Sequence, residues 1–416
     1  MSSLAAETHP TAVPRPTDPP LRTRVDAVDL LRGLVMVIML LDHTRDFIHR
    51  DALFFDPANL DRTTPALFFT RWITHYCAPV FVFLAGTGAY LQLSRGKTKA
   101  ELSRFLLTRG LWLMVLELTV VRCAVAFNVN YAQFPGFLQV IWAIGVSMVV
   151  LAALIHLPLR AVAGVGIGII LLHNLTDGWT VQGWAGPGSP APGTWEAIWM
   201  MLHQPGFIVV AGVPVLVLYP ILAWIGVMAA GYALGAVYDW QPERRQRFLV
   251  RLGLGMVAAF ILFRLTGFYG DVRGWEPERG PVFGLLSFLN ATKYPPSLHF
   301  VLMTLGPAIL ALAWFERLGR GPVARALVTY GRVPLFFYVL QWIVAHLFAI
   351  GFSLMAGKSI AHLFAFPGTV PAPPNPGFGL GVTYLAWALG IVVTYPLCLW
   401  FAGLKRRRTE WWWSYL

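Results

Sequence analysis

The chain of 416 residues is 57% hydrophobic and 14% aromatic but only 12% charged, and its mean hydropathy is positive. A soluble domain carries about twice that share of charge, so the composition excludes an ordinary water-soluble enzyme and indicates an all-α polytopic membrane protein. The net charge of +12 does not imply nucleic acid, because the basic residues sit in short segments between apolar runs, where membrane topology places them.

Residues 1–24 are rich in Pro, Thr and Ala, lack the apolar core of a secretory signal, and read as a disordered cytoplasmic tail. Apolar runs long enough to span, or nearly so, then fall at 28–50, 66–93, 104–126, 137–156, 159–174, 207–237, 248–268, 296–315, 332–355 and 379–403, which predicts ten transmembrane helices in one bundle over residues 25–403. The sixth run is long, with Pro214 and Pro220 as expected kinks. Residues 404–416, "KRRRTEWWWSYL" from Lys405, form a basic and aromatic cytoplasmic tail with Trp411, Trp412 and Trp413 as an interfacial anchor.

With ten spans both termini share one side, and twenty basic residues fall there: Arg15, Arg22 and Arg24 in the tail, clusters at 95–104, 244–251, 317–332 and 405–408, and Arg160. Eight fall on the opposite side, so the positive-inside rule puts both ends in the cytoplasm. Eight of the ten histidines then lie in the outer half or outer loops, leaving His9 and His156 inside. The three cysteines, Cys77, Cys123 and Cys398, have neither disulfide nor metal spacing, and no metal site is expected.

The first helix, "LRGLVMVIMLLDHTRDF", offers nine apolar residues before Asp42, His43, Arg45 and Asp46. Nine residues climb only about 14 Å, half of a hydrocarbon core of about 30 Å, so the helix must continue and carry its polar group inside the bundle. The bland alternative is an outer helix end with Arg45 snorkelling to the interface. Arg32 and His43 are 11 residues apart, within about 20° of one direction and about 16 Å apart along the axis. Asp29 pairs with Arg32 and His43 with Asp46 at i, i+3, so one stripe joins the two ends.

On the second helix Arg71 and His75 stand one turn apart; His75 reads equally as an interfacial histidine and as a member of the site. Ala85, Gly86 and Gly88 allow close helix packing. "TKYPPSLHF" puts Lys293, Ser297 and His299 at the start of the eighth helix, where an anionic acceptor group and a plain proline-started helix fit equally well. Arg109, Glu117, Arg122 and Arg264 read as internal ion pairs, and Gln341 and His346 as intermediate.

"VDLLRGLVMVIMLLDH", with ten residues between Arg32 and His43, resembles the signature of the integral-membrane acyltransferase family three. Together with "ALFFTRWITHYCAPVFVFLAGTGAYL", "TKYPPSLHFVLMTLGP" and "YGRVPLFFYVLQ", it resembles a bacterial family grouped with the catalytic domain of heparan-alpha-glucosaminide N-acetyltransferase, over about 25 to 403. The resemblance implies acyl transfer across a membrane from cytoplasmic acyl-coenzyme A, acetyl-coenzyme A by class, with no tightly bound cofactor. The acceptor it implies is a carbohydrate or lipid-linked hydroxyl or amine on the outer face, and a homodimer is compatible with it. Arg32 and Asp29 would then hold the donor, His43, Asp46 and His75 would be the catalytic candidates, and Asp42, Arg71, Lys293, Ser297 and His299 would hold the acceptor. The lysosomal enzyme departs from this pattern: it has asparagine at the place of His43 and its histidine further along in the first outer loop, where this chain offers His49. His43, His49 and His75 therefore compete, and heparan is a poor guess for the acceptor. A neutral imidazole can take a proton from an acceptor that attacks a thioester. A proton-coupled transporter relaying through the same His/Asp group is the alternative.

Overall fold

A computed structural model describes residues 26–415 apart from 52–53, 132, 319–320, 368, 372 and 409. The tail 1–24 with Arg15, Arg22 and Arg24, the loop residue Arg320 and the side chain of Trp411 lie outside the described residues. The chain opens with α1 (Asp26–Ile48). Next, α2 (Pro65–Trp72), a 3-10 turn and α3 (Cys77–Leu93) form one continuous span. After these, α4 (Lys99–Leu116) passes through a π-turn into α5 (Arg122–Ala126). β1 (Gly136–Leu138) leads into α6 (Val140–Leu154), and α7 (Leu159–Leu172) and α8 (Thr194–His203) follow. Then come β2 (Gly206–Val210), β3 (Val213–Val217), α9 (Leu222–Gly235), α10 (Pro242–Thr266), α11 (Pro281–Leu289) and α12 (Leu298–Phe315). The chain closes with α13 (Pro322–Arg332), α14 (Pro334–Met355) and α15 (Leu380–Arg407).

The protein is an all-α polytopic membrane protein. Among the described residues seven helices are long and apolar enough to cross a membrane: Pro65–Leu93, Leu159–Thr176, Leu222–Asp239, Pro242–Thr266, Leu298–Phe315, Pro334–Met355 and Leu380–Arg407. The other three apolar runs correspond to α1 and α4, which carry more charge, and to α6, which has only 15 residues. α1 continues as a helix through Asp42 to Ile48, as the shortness of its apolar run requires.

The sixth run is not one kinked helix. Residues 206–217 are instead a β-hairpin, and the helix begins only at Leu222. "GFIVVAGVPVLV" is a continuous apolar run whose periodicity does not separate a helix from a buried strand, and its β-branched residues favour the strand. Ala211 and Gly212, with φ of 49° and 80°, make the two-residue turn with two left-handed positions that hairpins favour. Pro214 lies at the start of β3, before the residues Val215–Val217 that pair with β1, so its missing N–H costs no bond in that ladder. The sheet order is β1-β3-β2, with β1 and β3 parallel. Three further stretches between the predicted runs contain helices: α8 and α11 in outer loops and α13 in the basic segment before α14.

α1 is the axis of the bundle, packed against α3, α12, α13, α14 and α15. Between helices in lipid there is little hydrophobic gain, so close van der Waals packing at small residues decides which pairs associate. At the crossing of α1 and α13 a Cβ on Gly33 would lie 1.8 Å from the Leu327 carbonyl oxygen, and one on Gly331 would lie 1.9 Å from that of Asp29. Only glycine fits either position. α3 and α9 cross in the same way, with Gly86 against Met228 and Gly231 against Phe83.

Candidate active site

Two clefts meet inside the bundle. The first, of about 430 Å³, runs along the N-terminal half of α1 and is lined by Arg32, Met36 and Met39, by α3, α4 and α6, and by Pro334, Leu335 and Tyr338 of α14. Among the described residues five basic side chains line it, Arg32, Lys97, Arg109, Arg332 and Lys405, and no acidic one does. Apart from Gln92 and Tyr338 its walls are otherwise apolar, with Ala85 and Gly88 among them. Arg32 Nη1 donates to Asp29 Oδ1 at 2.9 Å and to the Gly331 carbonyl at 3.0 Å, so the α1/α13 crossing holds the guanidinium in place. Asp29 does not line the cleft; it acts on it through Arg32.

The second cleft, of about 580 Å³, runs along the C-terminal half of α1 and is lined by Asp42, His43, Arg45, Asp46, Arg71, Thr74, Lys293, Tyr294 and Trp342, among others. Phe134, Phe137, Gln139, Leu218 and Tyr219, from the segments around β1 and β3, close one side. Met39, Val140 and Tyr338 line both clefts, and His43 lies one helical turn beyond Met39. The two spaces thus abut beside an imidazole.

The His43 ring stacks on Trp342, with centroids 3.5 Å apart and planes 18° from parallel, and meets Tyr338 edge-on at 6.3 Å. Its Nδ1 is buried without a hydrogen-bond partner. Asp46, expected to orient this ring, instead accepts from Arg45 Nη2 at 2.6 Å. His43 stands three residues before Asp46 and Arg45 next to it, but Arg45 is charged and bridges Asp42 and Asp46, so it takes the carboxylate. The Asp42 carboxylate is the centre of the polar group: it forms an ion pair with Arg45 at 2.7 Å and accepts from Arg71 at 2.9 and 3.1 Å and from Thr74 Oγ1 at 2.7 Å. Arg45 is 1% exposed and does not snorkel. In the loop after α1, burial pushes the Asp56 carboxyl up, but Arg71, the Ala58 N–H and more distant arginines outweigh it and hold the group below the usual carboxylate range.

The remaining candidates separate. Lys293 lines the second cleft, with its ammonium 5.1 Å from the centroid of the Tyr294 ring. His75 is buried against Phe300 and His49 accepts from the Asp51 N–H; neither lines the cleft. Ser297 caps α12 through the Phe300 N–H, and the expected anion site there is filled by the chain itself: Asp271 accepts from Ser297 Oγ, the Thr292 N–H and Thr292 Oγ1. His299 bonds to the Tyr269 carbonyl, away from the cleft.

For Glu117, Arg122 and Arg264 the expected internal ion pairs are also corrected. Arg122 donates to the carbonyls of Asn128, Asn130 and Phe134, and Arg264 to those of Phe288, Arg273, Gly274 and Ser287. Glu117 accepts from the N–H groups of Ile141 and Trp142 at the start of α6. Each satisfies backbone groups that irregular turns leave without helical partners. His346 is stacked between Phe47 and Phe127, at 4.6 and 4.0 Å, and Gln341 is fully buried. Tyr338 and Trp342, one turn apart on α14, were not singled out by their sequence. Their i, i+4 spacing of aromatics with polar handles was the available signal.

A membrane bundle in which a cation-lined cleft and a polar cleft meet beside a histidine has the layout of a transmembrane group-transfer enzyme. Residues 24–264 match the family "Heparan-alpha-glucosaminide N-acetyltransferase, catalytic", and the chain belongs to that family. It is by class a membrane acetyltransferase. No curated protein matches the chain.

Proposed function

We propose that the protein transfers an acetyl group from acyl-coenzyme A, bound in the Arg32 cleft, to a hydroxyl or amine of a sugar or lipid-linked acceptor in the His43 cleft. The observation that carries this reading is the meeting of the two clefts at Met39, Val140 and Tyr338, next to His43. Five cations suit the phosphates of coenzyme A, and the apolar walls suit its thin arm, which must cover about 16 Å between Arg32 and His43. In the transfer, His43 takes the proton as the acceptor oxygen or nitrogen bonds to the thioester carbonyl carbon. The Tyr338 hydroxyl donates to the carbonyl oxygen as it gains charge, the C–S bond breaks, and the thiolate takes the proton from the imidazolium. Arg71, Asp42 and Lys293 face the acceptor.

The test is thiol release from acetyl-coenzyme A by purified protein with glucosamine as a trial acceptor; a proton-coupled transporter would release none. His43→Ala lowers turnover by about two to four orders of magnitude, the range of general acid/base catalysis, while donor binding persists. His75→Ala leaves most of it. The reverse pattern overturns the assignment of His43.

We further propose ten spans, with the three charged or short helices α1, α4 and α6 completing the seven, both termini cytoplasmic and the Arg32 cleft facing the cytoplasm of a bacterial inner membrane. The uneven division of basic residues supports this orientation. Reporter fusions after Arg95 and Arg245 give a cytoplasmic signal and one near Ser189 an outer signal. An outer signal at Arg245 removes the ten-span topology.

A further inference from the structure

Outside the two clefts, His173 and Asp177 at the end of α7 come together with His203 at the end of α8. One ligand atom from each, two imidazole nitrogens and a carboxylate oxygen, lie within 4.8 Å of one another. His173 is 4% and His203 3% exposed. Both ring nitrogens of His173, and Nδ1 of His203, are buried without a hydrogen-bond partner. A buried imidazole with bare ring nitrogens is destabilising unless something binds it. His203 Nε2 bonds to Asp177 Oδ1 at 2.9 Å, and Asn174 Nδ2 donates to Asp177 Oδ2 at 2.9 Å, so the carboxylate is already aimed and held from behind.

We infer that His173, Asp177 and His203 form a binding site for a divalent transition-metal ion of the zinc type. Bonds of about 2.0–2.2 Å in a tetrahedron place ligand atoms roughly 3.4 Å apart, so the cluster needs to close by little more than about 1 Å, within reach of small side-chain rotations. Two imidazoles and one carboxylate suit zinc, and a tetrahedral ion keeps a fourth position for water. A small cavity of about 130 Å³ for that water adjoins the cluster, lined by Asp177 and His203 and by Thr292, Tyr294 and Ser297. Asn174, next to His173, accepts from the Leu298 N–H at 2.9 Å. The ion would therefore clamp the 3-10 turn after α7 and the end of α8 against residues 292–298, the segment whose Lys293 and Tyr294 wall the His43 cleft.

The test uses full-length protein carrying a tag without histidine, purified in detergent, loaded with zinc and desalted. Elemental analysis gives about one zinc per chain, and His173→Gln and His203→Gln each lower it at least tenfold. Cobalt loading of the unmodified protein, which needs no variant, gives the visible absorption of a tetrahedral site, and chelator lowers the melting temperature until zinc restores it. Less than a tenth of a zinc per chain after loading, or full zinc retained by the double variant, overturns the site.

Discussion

Asp42 is the position where a single change says most about the polar core. Its Oδ1 pairs with Arg45 at 2.7 Å and accepts from Arg71 and Thr74 at 2.9 and 2.7 Å, and its side chain is 13% exposed. Asp42→Ala leaves Arg45 with the Asp46 carboxylate, which bonds to it and not to Arg71, and leaves Arg71 with only the more distant attraction of Asp56 and Asp46. Breaking a buried pair by removing one partner costs about 3–5 kcal/mol, mostly from the charge left behind. Because Asp46 still neutralises Arg45, the cost falls at the lower end, about 3 kcal/mol, and is borne by Arg71. Replacing the pair together, as Asp42→Leu with Arg71→Met, removes both charges and costs less than the single change, since an apolar replacement of a whole buried pair is often neutral. The assay is unfolding in mixed detergent micelles followed by tryptophan fluorescence, arranged as a double-mutant cycle. A single variant within about 1 kcal/mol of the parent, or a double variant less stable than the single, refutes the reasoning.

Arg32→Ala weakens acyl-coenzyme A binding without loss of the folded protein, and Arg32→Lys recovers only part, since a point charge replaces a planar fork; unchanged affinity in a titration of the alanine variant excludes the phosphate-binding role. Gly88 and Gly86 separate space from packing: a Cβ on Gly88 meets nothing within 4 Å and the residue lines the Arg32 cleft, whereas one on Gly86 would lie 2.0 Å from the Met228 carbonyl oxygen. Gly88→Leu therefore raises the donor KM at unchanged melting temperature, and Gly86→Leu lowers the melting temperature. A stable Gly86→Leu protein contradicts the α3/α9 crossing.

The parts of this structure legible in the chain are those set by a helical period. The Arg32–His43 stripe and the Gly86 contact follow from residues on one helix face. The hairpin of β2 and β3 was not legible, because "GFIVV" and "VPVLV" are apolar in every position and carry no period. Nor were the roles of Arg122 and Arg264, whose partners are carbonyls of turns that sequence does not place. Asp46 and His43 share the right spacing, yet Arg45, between them in sequence, took the carboxylate. The contact of the two clefts depends on Met39, Val140 and Tyr338, which come from three helices remote in the chain, and no local pattern announces such a meeting. His173 and Asp177 have ligand spacing on one turn, but His203 joins them only through the fold.

That same meeting carries a burden on the insulation of the membrane. A hydrocarbon core of about 30 Å ordinarily holds back ions by its thickness. Along α1 the two hollows share Met39, Val140 and Tyr338 as common wall, so on the proposed orientation these three side chains stand between the two faces of the membrane. Their bulk is then constrained by electrical leakage as well as by chemistry, and trimming Met39 would widen the connection between the two hollows.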